Sequence, residues 1–196
     1  MQFKESEYWA ESFSDLAMSE KKVVGIEFDD CTFKGCDLKA CDFVGCRFID
    51  CQFVSCDMNV VTFSGCRFES THFSACKLNG VDWTKVDYSE FIHEAPFSFY
   101  ASVLDYSSFF GEKLEGLSLR QCRLCEVDFR EARLKGADFS DSELRGTLFR
   151  HSDLSSANFE GASDYQIDLR INTIAGARFS RDEALSLLDA LEITLC

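Results

Sequence analysis

Proline is nearly missing from this chain of 196 residues: it occurs once, at Pro96. Histidine is also scarce, with His72, His93 and His151 spread along the sequence and no acid and nucleophile set beside any of them at a motif spacing. Glycine-rich phosphate loops and catalytic triads are both lacking, which points away from an enzyme. No apolar run approaches the length of a membrane helix, and the opening MQFKESEYWAESF lacks the charged-then-apolar order of an export signal. The expected setting is therefore the reducing cytoplasm, with no membrane contact. Positive charge is in deficit too: 20 Lys and Arg face 34 Asp and Glu, a net −14. That balance argues against direct nucleic-acid binding and for attraction to basic surfaces.

Two residues are in excess, 20 Phe and 11 Cys. A chain this long buries a sizeable core without staples, and the cysteine count is odd, so a disulfide framework is not required. The stretch CDLKACDFVGCRFIDCQFVSC, residues 36–56, shows what the cysteines obey: one every fifth position, with a large apolar residue two places later. Neither the helix period of 3.6 nor the strand period of 2 produces this beat. Large apolar centres run in step of five from Phe28 to Tyr88, and small residues such as Cys31, Cys36 and Cys41 precede each by two. The beat slips by one residue inside EFIHEAPFSF and resumes from Phe99 to Phe179, with Asp164 as the one polar centre.

Self-similarity of this kind marks a solenoid. Each pentapeptide turns two residues inward and three outward, so five residues make one side of a coil plus a corner. Four sides close a square of about 20 residues, stacked at roughly 4.8 Å. Thirty pentapeptides then give an all-β rod of about seven and a half turns, roughly 36 Å long. Residues 20 apart share a column, so Cys31 lies over Cys51, Cys36 over Cys56 and Cys76, and Cys46 over Cys66. Straight columns do not make the tetrahedron zinc requires, and buried free cysteine serves as a small packing residue. Neither metal nor cofactor is expected. Cys122 and Cys125 form one CxxC, with Cys122 inward and Cys125 outward in this register. Glu112 and Asp164 fall on inward positions, where local distortion is expected.

The square geometry also sorts charge by side. The side centred on Phe28, Phe48, Phe68 and Tyr88 carries Glu27, Asp29, Asp30, Asp50, Glu69, Asp87 and Glu90 against Arg47 and Arg67. Stacked carboxylates such as Asp30 and Asp50 repel by about 0.9 kcal/mol even at the dielectric of water. This side is the candidate partner-binding surface, since a carboxylate ladder offers a basic groove the electrostatics of a duplex edge. Solubility and protection against edge pairing would account for the same charges.

At the C-terminus the beat stops, and Ser180-Arg181-Asp182-Glu183 reads as a capping box. A helix of about ten residues is predicted over 181–191, followed by an alternating strand to Cys196. Leu185, Leu187, Leu188, Leu191, Ile193 and Leu195 are the candidate residues of a two-fold interface. The chain thus divides into residues 1–25, an N-terminal cap with a first irregular coil; 26–179, the repeat solenoid; and 180–196, helix and strand.

ADFSD (137–141), ANFEG (157–161) and CDFVG (41–45) resemble the repeat unit of the pentapeptide repeat proteins. That resemblance implies a right-handed quadrilateral β-helix with a C-terminal capping and dimerisation helix. GIEFDDCTFKGCDL, GVDWTKVDYSEF and DYQIDLRINTIAGARFSRDEALSLLDALEITL are similar to the branch that protects type II topoisomerases, including albicidin-resistance, Qnr quinolone-resistance and microcin-immunity proteins. The branch implies a head-to-head homodimer, DNA gyrase or topoisomerase IV as partner, and protection of that enzyme from its poisons. The Qnr proteins act partly through long projecting loops, for which the slip leaves room for a single inserted residue. A general interaction scaffold with no topoisomerase role is the alternative.

Overall fold

The computed structural model describes residues 3–88 and 95–191, without the side chains of residues 189 and 190. The chain winds into a β-solenoid of about 8 turns. On the first side Tyr8, Phe28, Phe48 and Phe68 pair in parallel register, each 20 residues from the next. The second side pairs Phe13, Phe33, Phe53, Phe73, Phe99 and Leu119, and the fourth pairs Val23, Phe43 and Phe63. Isolated parallel bridges through Ala17, Asp37, Asp57 and Lys77 hold the third.

Stacking brings aromatic rings into columns. Phe28, Phe48 and Phe68 lie 5.3 and 5.1 Å apart at interplanar angles of 9° and 13°. Phe33, Phe53, Phe73 and Phe99 form a second column, and Phe63, Trp83, Phe109, Phe129 and Phe149 a third. Rings of adjacent columns meet edge-on, as Phe48 does with Phe43 and Phe53. This alternation of offset stacks and edges suits the aromatic quadrupole. The corners require left-handed backbone, which Gly25, Gly45 and Gly65 adopt freely (φ 64°, 59° and 63°).

The cysteines do more than fill space. At the corners after Phe28, Phe33, Phe43 and Phe53, no backbone N–H three residues on closes the turn among the described residues. The freed carbonyls accept instead from thiols of the next coil: Cys51 Sγ donates to Phe28 O, Cys56 to Phe33 O, Cys66 to Phe43 O and Cys76 to Phe53 O, all at 3.3 Å. Thr71 serves Phe48 O in the same way at 3.0 Å. A small donor at this position therefore satisfies a buried acceptor that alanine would leave orphaned. The outward Asp and Asn before each centre have a matching local role. Asp57, Asp82, Asp128, Asp138, Asp153 and Asn158 accept from the N–H two residues on, an Asx turn that brackets the centre.

Several expectations are corrected. Parallel pairing already runs from Glu7, ahead of residue 26: Tyr8, Phe13, Met18 and Val23 keep the phase, with Ser6, Glu11, Leu16 and Lys21 at their small positions. The slip is larger than its phase. Thr71 pairs with Phe97, 26 residues on, so six residues are added where one was expected. Counting modulo five hides a whole pentapeptide. Asp87 still bonds back to Cys66 in the 20-residue register, and Ala95 bonds to Glu115 in the next, so the extra residues lie between Asp87 and Ala95.

Asp164 does not point inward. It takes the left-handed corner (φ 58°) and is exposed, while Tyr165, buried to 1 % exposure, fills the core against Phe159 and Phe179. An aromatic ring one residue out of phase outcompetes a carboxylate for that space. Glu112 is half-buried as expected, and desolvation, then the charge of Asp82, pushes its carboxyl up. Cys125 faces outward yet is only 7 % exposed, because Asp105, Glu143 and Arg145 close over it.

The C-terminal segment is helical over Glu183–Leu191, but of the 3-10 type. The capping box does not form: Ser180 Oγ accepts from Gly161 N at 2.7 Å, tying the segment to the preceding coil. Leu187 packs into the core, whereas Leu185 (59 %) and Leu191 (40 %) are exposed and Leu188 is half-buried. Ile193 and Leu195 lie outside the described residues. No helix among the described residues is long and apolar enough to cross a membrane.

Candidate partner-binding face

Parallel register fixes which outward side chains share a column on the first side. The column before the centres runs Glu7, Glu27, Arg47, Arg67, continuing to Asp87. Arg47 donates to Glu27 Oε2 at 2.8 Å, and Arg67 lies 2.6 Å from Asp87 Oδ2. Two of the expected acids are thus neutralised within their own column. As exposed pairs these bridges add little stability, about 0–1 kcal/mol each. Their main effect is to shift the free negative charge sideways.

The column after the centres runs Trp9, Asp29, Ile49, Glu69. The corner beside it carries Ala10, Asp30, Asp50 and Ser70, all left-handed with φ between 46° and 53°. Asp29, Asp30, Asp50 and Glu69 make no ion pair among the described residues, so four uncompensated carboxylates share one strip. Glu90 lies outside the described residues. The strip was legible from the five-residue beat, and the pairing that removes Glu27 and Asp87 from the free charge was not, because it depends on side-chain rotamers. Sequence sorting by charge also passed over Trp9, at 74 % exposure the most exposed large apolar side chain among the described residues. Its position one after a centre was the available signal.

Charge is mixed further along the same side, where Glu115 and Asp153 stand among the cations. Lys113 stacks on Arg133 in the column continuing past the insertion, and Lys135 follows two residues on. The opposite surface is quieter. On the third side Asn79 N–H donates to Asn59 Oδ1, Asp105 N–H to Asn79 Oδ1 and Cys125 N–H to Asp105 Oδ1, so polar side chains there satisfy one another's backbone along the axis. Arg123 is also held by Asp105, at 2.9 Å through Nε.

A parallel four-sided coil with an aromatic interior, repeating every five residues, is a repeat solenoid whose distinguishing chemistry lies on its outer faces. The chain belongs to the pentapeptide repeat family: the description "Pentapeptide repeat region" matches residues 26–92 and 94–159. Two trypsin-treated variants of QnrB1, a plasmid-mediated fluoroquinolone resistance protein, superpose on it with TM-scores of 0.63 and 0.61. They are 20 % and 21 % identical, covering 97 % and 94 % of this chain and 98 % and 100 % of theirs. HetL, a pentapeptide repeat protein involved in heterocyst differentiation regulation in Nostoc sp. strain PCC 7120, superposes at 0.54 with 14 % identity, over 88 % of this chain and 86 % of its own. Comparison with curated protein sequences finds no match. At these identities the likeness establishes the shared fold.

Proposed function

We propose that this protein binds DNA gyrase or topoisomerase IV through the acidic strip of its first side and protects the enzyme from topoisomerase poisons of the quinolone or albicidin kind. The observation that carries this reading is the set of four unpaired carboxylates, Asp29, Asp30, Asp50 and Glu69, ordered along a rod whose fold matches that of a fluoroquinolone resistance protein. Stacked negative charge at this pitch attracts a basic channel built to grip nucleic acid, with an ionic-strength-dependent on-rate. The protein acts by binding, with no chemical step of its own.

A gyrase supercoiling assay inhibited by a fluoroquinolone is the direct test. Addition of the protein is expected to restore supercoiling, and the triple variant Asp30→Lys, Asp50→Lys, Glu69→Lys is expected to need roughly ten-fold more protein, as loss of several interfacial charges implies. Undiminished rescue by the triple variant would remove the acidic strip from the account. No rescue with any poison would leave the scaffold reading in its place.

The same proposal includes a homodimer through the C-terminal segment. Among the described residues there, Leu185 and Leu191 are the exposed apolar ones, while Leu187 supports the segment from below. Leu185→Glu is expected to halve the mass measured by light scattering with the thermal melt unchanged; an unaltered mass would count against this interface.

A further inference from the structure

Trp9 stands on the outer surface at the start of the acidic strip, in register with Asp29 and one residue before the corner that continues into Asp30. The other tryptophan, Trp83, is fully buried, stacked between Phe63 and Phe109. Nothing in the fold requires an indole at position 9. The matching positions of the next three coils hold Asp29, Ile49 and Glu69, and the interior is already closed beneath by Tyr8 stacked on Phe28 at 5.6 Å. A single exposed apolar residue is ordinary, but tryptophan, with its large contact area and polar N–H, is enriched at protein interfaces, and this one is 74 % exposed.

Its surroundings select the occupant. The strip alternates apolar and acidic side chains, Trp9, Asp29, Ile49, Glu69, over roughly 14 Å, with Asp30 and Asp50 alongside. An indole face attracts a cation through its quadrupole, and arginine stacks on it while keeping its edge donors free for carboxylates. Lysine, a hydrated point charge, gains less from the same pocket. We propose that Trp9 anchors an arginine of a basic partner protein, its guanidinium stacked on the indole and paired edgewise with Asp29 or Asp30. The inference rests on the acidic-strip reading above and adds to it a contact that phosphate mimicry lacks, one that survives salt because it is partly apolar.

Two measurements separate the proposal from that reading. In the first, the full chain and its Trp9→Ala variant are titrated with an arginine-rich peptide and with a lysine peptide of equal length and charge, at low and at physiological salt. The wild-type chain is expected to prefer the arginine peptide about three-fold or more, with a shift in the exposed tryptophan's emission, and Trp9→Ala to lose the preference. In the second, binding to gyrase is expected to weaken roughly ten-fold in Trp9→Ala and far less in Trp9→Phe, with melting curves unchanged. Equal peptide affinities in the wild type, or Trp9→Ala within about two-fold of the wild type on both probes, would overturn the proposal. So would a change in self-association instead of peptide binding, which would assign Trp9 to contacts between copies. Peptide discrimination by a wild-type chain that ignores gyrase would uphold the anchor and reject the topoisomerase partner.

Discussion

Raising the pH from 8 to 11 is expected to unfold the rod. Burial pushes the thiols of Cys41, Cys51 and Cys122 from an ordinary value near 9 up to about 12. In the unfolded chain these groups lose their protons near 9, while in the core they keep them. Above pH 9 the unfolded state therefore binds fewer protons than the folded one, and stability falls as pH rises. It is fully present below 9 and drains away up to the folded value. Each thiol contributes on the order of 1 kcal/mol per pH unit in that window, so the three together cost ~4 kcal/mol by pH 10. By pH 11 the loss reaches ~8 kcal/mol, comparable with the whole of the about 5–15 kcal/mol that stabilises a typical domain. Far-ultraviolet circular dichroism against pH is the measurement. A variant carrying Cys41→Ser, Cys51→Ser and Cys122→Ser keeps a donor at each position and titrates far higher, so its transition should move up by about one pH unit. Coincident transitions would show that thiol ionisation does not govern alkaline unfolding.

Phe48→Ala is expected to lower the melting temperature by roughly 6–20 °C, from a loss of about 3–5 kcal/mol. Phe48 is fully buried and sits between Phe28 and Phe68 in its column, with Phe43 and Phe53 against its edges at 5.5 and 5.6 Å. Its neighbours are held in place by backbone bonds to adjacent coils, such as Arg47 N to Ile26 O at 2.9 Å, so the cavity has no easy way to collapse. Nearest-neighbour coupling adds a second signature. The coils before Phe48 lose their main contact with the rest, and amide exchange should rise across residues 7–47 more than across 97–159. A shift of under about 3 °C would mean that the column relaxes around the gap.

Much of the fold is written in the beat of five, because each centre and small position is fixed by covalent spacing alone. What escaped that reading depends on properties a period does not carry. Phase registers the one-residue remainder of the insertion and is blind to the extra pentapeptide, so only the pairing of Thr71 with Phe97 reveals six residues. Tyr165 displaces Asp164 because core volume outranks phase at one coil. The donor role of the cysteines follows from which corners lack a turn hydrogen bond, a backbone property that residue identity does not announce. Of the candidate face, the side was legible and the pairing of Glu27 with Arg47 and of Arg67 with Asp87 was not. The same holds for Leu187: helical spacing marked it as apolar, and only packing shows that it faces the core.

The backbone hydrogen bonds of the rod, from Ala10 N to Asp29 O at one end to Arg178 N to Ala157 O at the other, run along its axis from coil to coil. A force applied along that axis loads them in tension a few at a time, so one coil peels away before the next is strained. A force across the axis must shear whole faces together. The molecule is therefore expected to be weak when pulled by its ends and strong when squeezed from its sides.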